Sequence, residues 1–323
     1  MYRLSGSDLL PLVRNALRTE LDEQNRVRFF RFTPKQMEEY GKESVFAIRS
    51  LLTNGVTLDF VTDSLHLELA WELVQRGPWD VSDVVDLYLD GVLVQSQALP
   101  NEPDSATRLT FSLPEGKKRV TFWFPRTFVI ALTELILSDG ASVELLPARK
   151  NYLALGDSIT FSSAQHPSLS YCAQVASHFG WELYNQGIGG YVFCADSLDS
   201  NFPWKPDVIT VAYGTNDNRS DRDAYRIRVR TYLERLCAIW PDIPIFLITP
   251  LWRLDISGTE PFDWIYPVIE EECARHPQIS VIDGRTAMPR LPEFYSDAYL
   301  HPNNLGMTFY AQSIVRTMEQ AGL

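Results

Sequence analysis

Cysteine is scarce and unpatterned in this chain. Cys172, Cys194, Cys237 and Cys273 form no Cys-x-x-Cys and have no histidine at ligand spacing, so they read as reduced thiols, and neither a metal site nor a disulfide framework is expected. Long apolar runs are missing too: nothing approaches the roughly 18 residues of a membrane span, and no membrane partner is expected. Basic charge is short, with 29 Lys and Arg against 41 Asp and Glu and a formal charge of -12. A nucleic-acid binder needs a basic face to displace counterions, and that class is excluded. The first residues, Met-Tyr-Arg-Leu-Ser-Gly-Ser-Asp, lack the basic start, apolar run and small-residue cleavage site of a signal peptide, so the cytoplasm is the expected location. No internal repeat or low-complexity tract interrupts the chain.

What is there suits two folded domains. The 323 residues exceed one ordinary domain, and 45% hydrophobic against 22% charged is a globular balance. Leu9-Leu10, Val13, Leu17 and Leu21 are spaced as one amphipathic helix, or as a leader that packs on the domain behind it. From Val27 the pattern becomes short and alternating. Residues 28–32, 56–60, 65–69, 84–89, 109–113, 120–124 and 135–137 read as strands, separated by turn signals such as Asp90-Gly91, Pro114-Glu115-Gly116 and Asp139-Gly140. Residues 1–145 are therefore expected to form an antiparallel, jelly-roll-like β-sandwich.

After Leu146 strands alternate with helices. Apolar runs at 152–155, 181–184, 208–213, 245–249 and 279–282 are separated by amphipathic stretches at 170–179, 222–240 and 262–275, with a last one at 307–321. That alternation means right-handed crossovers and a parallel sheet covered on both faces, a three-layer α/β domain over 146–323.

The stretch that organises this second half is Tyr152 to Thr160, Tyr-Leu-Ala-Leu-Gly-Asp-Ser-Ile-Thr. Ser158 follows a buried strand, where open α/β sheets bind ligands outside their carboxyl ends. It is the candidate nucleophile, although Asp-Ser after a strand also suits a helix N-cap. Serine needs a base to take its proton, and of the five histidines only His301 lies in a loop of the same kind, Ser296-Asp297-Ala298-Tyr299-Leu300-His301-Pro302. An oxyanion needs aligned donors. The backbone N–H groups of Ser158 and Gly190 and the side-chain amide of Asn216 are the candidates, from Asn185-Gln186-Gly187-Ile188-Gly189-Gly190 and Gly214-Thr215-Asn216-Asp217.

These four blocks, in this order, resemble those of the GDSL (SGNH) esterases and acylhydrolases over about residues 150–323. The resemblance implies a flavodoxin-like α/β/α fold and serine ester hydrolysis without metal or other cofactor, with Ser158 at the nucleophile position, His301 at the base, and Gly190 and Asn216 at the oxyanion donors. The first domain is similar to sandwich modules found ahead of some carbohydrate-active and polyketide-acylating members. One block departs from the pattern: the family's acid stands three residues before the histidine, where this chain has Ala298, and Asp297 stands four before. Either the loop bulges at Tyr299 and lets Asp297 reach the imidazole, or a backbone carbonyl orients His301 in a serine-histidine dyad. Asp157 is expected to hold its turn and Asp217 to brace Asn216.

Tyr191, Phe193, Trp204, Trp252, Trp264, Tyr295 and Tyr299 could line a cleft for sugar rings, or simply pack the core. The expected partner is a small-molecule ester, a short acyl group, acetyl foremost, on a carbohydrate or similar polyol. Transfer of the acyl group to a sugar or polyketide hydroxyl uses the same site, and a glycan-binding protein with an inactive hydrolase domain is the rival of another class. Exposed sheet edges leave a homodimer open.

Overall fold

The computed structural model describes residues 1–78, 83–100, 106–217 and 220–323. The chain divides into two compact units, one formed by Met1–Phe32, Ile48–Arg149 and His166–Ser168, the other by Thr33–Ala47, Lys150–Gln165 and Leu169–Leu323.

The first unit is antiparallel β-structure. Its strands, among the described residues, are β1 (Tyr2–Ser5), β2 (Val13–Arg14), β3 (Arg18–Leu21), β4 (Val27–Phe30), β5 (Thr57–Thr62), β6 (His66–Arg76), β7 (Val84–Leu89), β8 (Val92–Ala98), β9 (Ala106–Ser112), β10 (Lys118–Trp123), β11 (Phe128–Leu137) and β12 (Val143–Leu145). They form two six-stranded sheets, ordered β3-β4-β11-β6-β9 with β1 on β11, and β12-β5-β10-β7-β8 with β2 on β5. Period-two patterning makes the sandwich. Along β10, Lys118, Val120 and Phe122 are buried while Arg119, Thr121 and Trp123 are half-exposed, because successive side chains point to opposite faces. Rings from the two sheets meet in the core: Phe122 lies 6.2 Å from Trp71 of β6 and 5.9 Å from Phe111 of β9, and Phe29 of β4 stacks on Phe124 at 5.0 Å.

The amphipathic helix expected in residues 1–27 does not form. Strand β1 pairs with β11, and two 3-10 turns follow, Gly6–Asp8 and Leu10–Leu12. Pro11 donates no N–H to a helix, and Gly6 and Asn15 turn the chain through positive φ, 52° and 64°. The apolar spacing reflects burial of Leu9, Leu12 and Val13 in the sandwich core, which can imitate a helical period over so few residues.

The second unit contains α1 (Pro34–Gly41), contributed from the amino-terminal region, and the carboxyl-terminal half. A further helix, α2 (Ser44–Leu51), starts in this unit and ends in the first. The sheet comprises β13 (Asn151–Gly156), β14 (Glu182–Gly187), β15 (Val208–Ala212), β16 (Ile245–Ile248) and β17 (Ile279–Ile282), and the remaining helices are α3 (Ser158–Phe161), α4 (Tyr171–Phe179), α5 (Arg222–Ile239), α6 (Glu260–Asp263), α7 (Ile265–Cys273) and α8 (Asn304–Gln320). All sheet neighbours are parallel, in the order β14-β13-β15-β16-β17. This is the doubly wound order 2-1-3-4-5. The crossover through α4 runs across the sheet in one direction and those through α5 and α7 in the other, so right-handed connections put them on opposite faces. Helix α8 joins α4, Tyr171 and Tyr310 meeting at 4.8 Å, and α5 is tied to α7 by the fork of Arg230 on Glu272, both bonds 2.9 Å. The result is a three-layer α/β domain. Its switch point lies at β13, so the turns after β13, β14 and β15 converge outside one end of the sheet.

Removing a ring from the sandwich core tests the packing. Phe122→Ala is expected to destabilise the folded chain by about 3–5 kcal/mol, measured as a shift of the urea midpoint. A loss below about 1 kcal/mol would contradict the interleaved ring contacts described above.

Candidate active site

Strand β13 ends at Gly156, where there is no room for a side chain: a Cβ there would lie 2.7 Å from the Ala212 carbonyl oxygen and 2.0 Å from Thr160 Oγ1. The next residue, Asp157, caps the short helix α3, its carboxylate accepting the Ile159 N–H at 2.9 Å. Asp157 is the N-cap and leaves Ser158 free of that role. Ser158 instead meets His301, Oγ to Nε2 2.9 Å.

His301 sits in a loop closed by a bridge between Tyr295 and Pro302, with Ser296 N–H donating to the His301 carbonyl at 2.7 Å. Within it Ala298 takes a left-handed φ of 69°, a conformation that costs a residue with a Cβ. That turn accommodates the extra residue between acid and histidine, at Ala298 and not at Tyr299. The Asp297 Oδ1 atom accepts the backbone N–H groups of Tyr299, Leu300 and His301 at 3.1, 2.8 and 3.0 Å, and Oδ2 meets His301 Nδ1 at 2.6 Å. Burial pushes this carboxyl up, but the Leu300 and His301 N–H groups, the imidazole and the Tyr299 N–H together hold it below the usual carboxylate range. The loop is anchored outside as well: Leu254 N–H donates to the Tyr299 carbonyl at 2.9 Å, and Ser163 Oγ to that of Pro302 at 2.6 Å.

The turn after β14 lies directly on the turn that carries Ser158. A Cβ at Gly187 would stand 2.1 Å from the Phe161 nitrogen, so only glycine allows that approach. Ile188 N–H donates to the Gly156 carbonyl at 2.9 Å, Tyr191 N–H closes a turn onto Ile188 at 3.1 Å, and Gly190 supplies its positive φ of 79°. Asn216 lies in the 3-10 turn Thr215–Asp217 after β15 and donates its side-chain amide to the Tyr191 carbonyl at 3.0 Å. Ser158, His301 and Asp297 are thus joined in one hydrogen-bonded line, while Gly190 and Asn216 are joined through Tyr191.

Asp217 does not brace Asn216 directly. Its carboxylate is held by Arg228 and, at 3.5 Å, by Ser220. Burial pushes Asp217 up to about 6 against the pull of Arg228 and Ser220. Burial likewise pushes Asp157 up to about 7, opposed by the Ile159 N–H and reinforced by the charge of Asp217.

Several candidate cleft aromatics belong to packing. Phe193 is buried against Tyr213, Tyr225 and Tyr232, Trp204 lies on Tyr184, Trp264 meets Tyr225, and Trp252 lies beneath Arg290. Tyr295 is buried with its hydroxyl on the Trp252 carbonyl, and Tyr299 is exposed. Two contributors escape sequence reasoning. Arg253 is gripped at both ends of its fork by Asp255, at 3.0 and 2.7 Å, and reaches the Thr215 carbonyl at 3.2 Å. Helix α1 was legible in principle: Thr33-Pro34-Lys35-Gln36 is a capping box with proline at the first helical position.

The family model for GDSL-like lipases and acylhydrolases matches residues 154–309. These residues are a GDSL-like lipase/acylhydrolase domain. Solved structures similar to the whole chain include a salicylyl-acyltransferase, SsfX3, from a tetracycline biosynthetic pathway (21% identity, TM-score 0.79, 100% of this chain and 98% of that one). A family two carbohydrate esterase from Cellvibrio japonicus is also similar (18%, 0.68, 99% and 97%). So is an acetyl xylan esterase, Est2A, from the rumen bacterium Butyrivibrio proteoclasticus (14%, 0.68, 99% and 99%). At these identities the likeness is one of fold. No curated protein matches the chain.

The buried carboxyl of this GDSL-like domain gives a signed pH test. Asp157 near 7 when folded and about 3.9 when unfolded binds an extra proton in the folded state between those values. Its contribution to stability is complete at low pH and is lost as pH rises through 7. Asp157→Asn stays neutral throughout, so the Tm of the variant minus that of wild type is expected to increase from pH 4 to pH 8. A difference independent of pH would show that Asp157 ionises normally.

Proposed function

We propose that the protein hydrolyses short-chain esters, acetyl esters of a carbohydrate or similar polyol foremost, through an acyl-enzyme on Ser158. The observation that carries this reading is the line Ser158 Oγ, His301 Nε2, His301 Nδ1, Asp297 Oδ2, with separations of 2.9 and 2.6 Å, inside the GDSL-like domain.

In this reading His301 takes the Ser158 proton as Oγ attacks the ester carbonyl, and Asp297, kept ionised by its three backbone donors, holds the imidazole in the tautomer with the proton on Nδ1 and stabilises the imidazolium. The tetrahedral oxyanion is met by the N–H groups of Ser158 and Gly190 and by the Asn216 amide, groups fixed before substrate arrives. The imidazolium then protonates the leaving alcohol. Water, deprotonated by His301, attacks the acyl-enzyme and releases the acid. The acetyl-on-carbohydrate preference draws on the whole-chain likeness to a carbohydrate esterase and an acetyl xylan esterase.

A second reading, acyl transfer to a hydroxyl acceptor, is favoured by the likeness to a salicylyl-acyltransferase, which spans 100% of this chain. It differs only in which hydroxyl reaches the acyl-enzyme. The rival of a glycan binder with an inactive domain fits poorly with an acid, base and serine already in hydrogen-bonding contact.

Hydrolysis of p-nitrophenyl acetate, butyrate and octanoate tests the reading. Acetate is expected to turn over fastest, and Ser158→Ala and His301→Ala to lower kcat/KM by about 10³-fold or more. Asp297→Asn is expected to cost about 10²–10⁴-fold because it favours the wrong tautomer. Wild type no faster than Ser158→Ala on every ester would overturn the reading. Suppression of acetate release by a polyol acceptor, with the acylated polyol appearing instead, would select transfer.

A further inference from the structure

Between Gln186 and Tyr191 the chain runs Gly187-Ile188-Gly189-Gly190, and three of these four residues have no side chain with which to hold their own conformation. Besides the bonds of Gly187 to Asn185, Ile188 to Gly156 and Asn216 to Tyr191, side chains of the amino-terminal segment Thr33–Ala47 meet both ends of this stretch, and that segment belongs to the second unit although the strands on either side of it do not.

At the first end, Gln36 and Gln186 exchange two amide hydrogen bonds, Nε2 of Gln36 to Oε1 of Gln186 at 2.9 Å and Nε2 of Gln186 to Oε1 of Gln36 at 3.0 Å. Both side chains are buried. Gln36 also donates to the Ser197 carbonyl at 3.0 Å and completes the capping box with Thr33, whose hydroxyl donates to Asp199 at 2.6 Å. A buried amide left without its partner is costly, so this network admits one arrangement. At the other end, the Tyr191 ring is met edge-on by Tyr40 at 5.0 Å and by Phe46 at 4.9 Å. The Tyr191 carbonyl accepts the Asn216 amide, and its nitrogen follows Gly190. Fixing Tyr191 therefore fixes both candidate oxyanion donors beyond Ser158.

We infer that Thr33–Ala47 is a clamp on the oxyanion loop, with Gln36, Tyr40 and Phe46 as positioning residues for Gly190 and Asn216. The inference rests on the proposed esterase reading for its catalytic consequence, and on packing alone for its mechanical one. A loop held in advance donates to the oxyanion without reorganising. Loosening it misplaces the donors in the transition state and leaves the ester's ground-state binding nearly as it was, so the loss falls on kcat.

Phe46 is the residue to change because it is half-exposed and its loss spares the buried amide pair. Wild type, Phe46→Ala, Phe46→Leu, Ser158→Ala and the exposed control Glu38→Ala are compared by hydrogen exchange followed by mass spectrometry and by p-nitrophenyl acetate kinetics. Phe46→Ala is expected to speed exchange in peptides covering 187–192 and not in β13 or β15. It is expected to lower kcat by about 10-fold with KM within about twofold. Phe46→Leu should recover most of both effects and Glu38→Ala should show neither. Unchanged exchange at 187–192 overturns the clamp, as does faster exchange with kcat intact, or a loss that spreads through the whole domain. Should wild type prove no faster than Ser158→Ala, the esterase reading fails, and the exchange data still decide whether the segment clamps the loop.

Discussion

The carboxylate of Asp297 holds together the loop that presents His301. One of its oxygens gathers three successive backbone N–H groups, and the other meets the imidazole. The first set of bonds folds the loop, and the second orients His301 toward Ser158. Ionised and fully engaged, the carboxylate turns a segment with one residue too many into a rigid mount, with Ala298 taking the unfavourable left-handed conformation. Four hydrogen bonds to a charged acceptor outweigh the cost of about 1–2 kcal/mol for one such residue.

Close approach of the backbone is the second constraint. Gly156 and Gly187 each stand where a methyl group would overlap neighbouring main chain, and this lets the turns after β13 and β14 lie directly on one another. The third turn, after β15, is attached through the amide of Asn216 on the Tyr191 carbonyl. Three loops that are distant in sequence thus share one small region because parallel strands all end on the same side, and the order reverses at β13.

Buried acids beneath the site carry a different burden. Asp157 and Asp217 are both withdrawn from water and both raised, the second despite an arginine partner. Asp157 caps the turn that presents Ser158, so its charge state and the geometry of that turn belong to one local structure. Arg253, locked onto Asp255, donates to the Thr215 carbonyl in the turn after β15.

Much of this was written in the sequence. Alternation of two along Val120-Thr121-Phe122 specified a half-buried strand, and near-continuous apolar runs such as Val208–Ala212 specified strands buried on both faces, because side-chain period follows directly from backbone geometry. Serine after one strand end and histidine just before the last helix were also legible, since turn and cap chemistry is local. The amino-terminal 27 residues were not, because a helical spacing of leucines was in fact set by contacts beneath a sheet. Tertiary structure alone decided that the Asp297 carboxylate reaches His301 across an extra residue, that Asp217 goes to Arg228, and that a helix from residues 34–41 belongs with a domain beginning more than a hundred residues later. These are contacts between groups far apart in the chain or across an irregular loop, and no local periodicity encodes them.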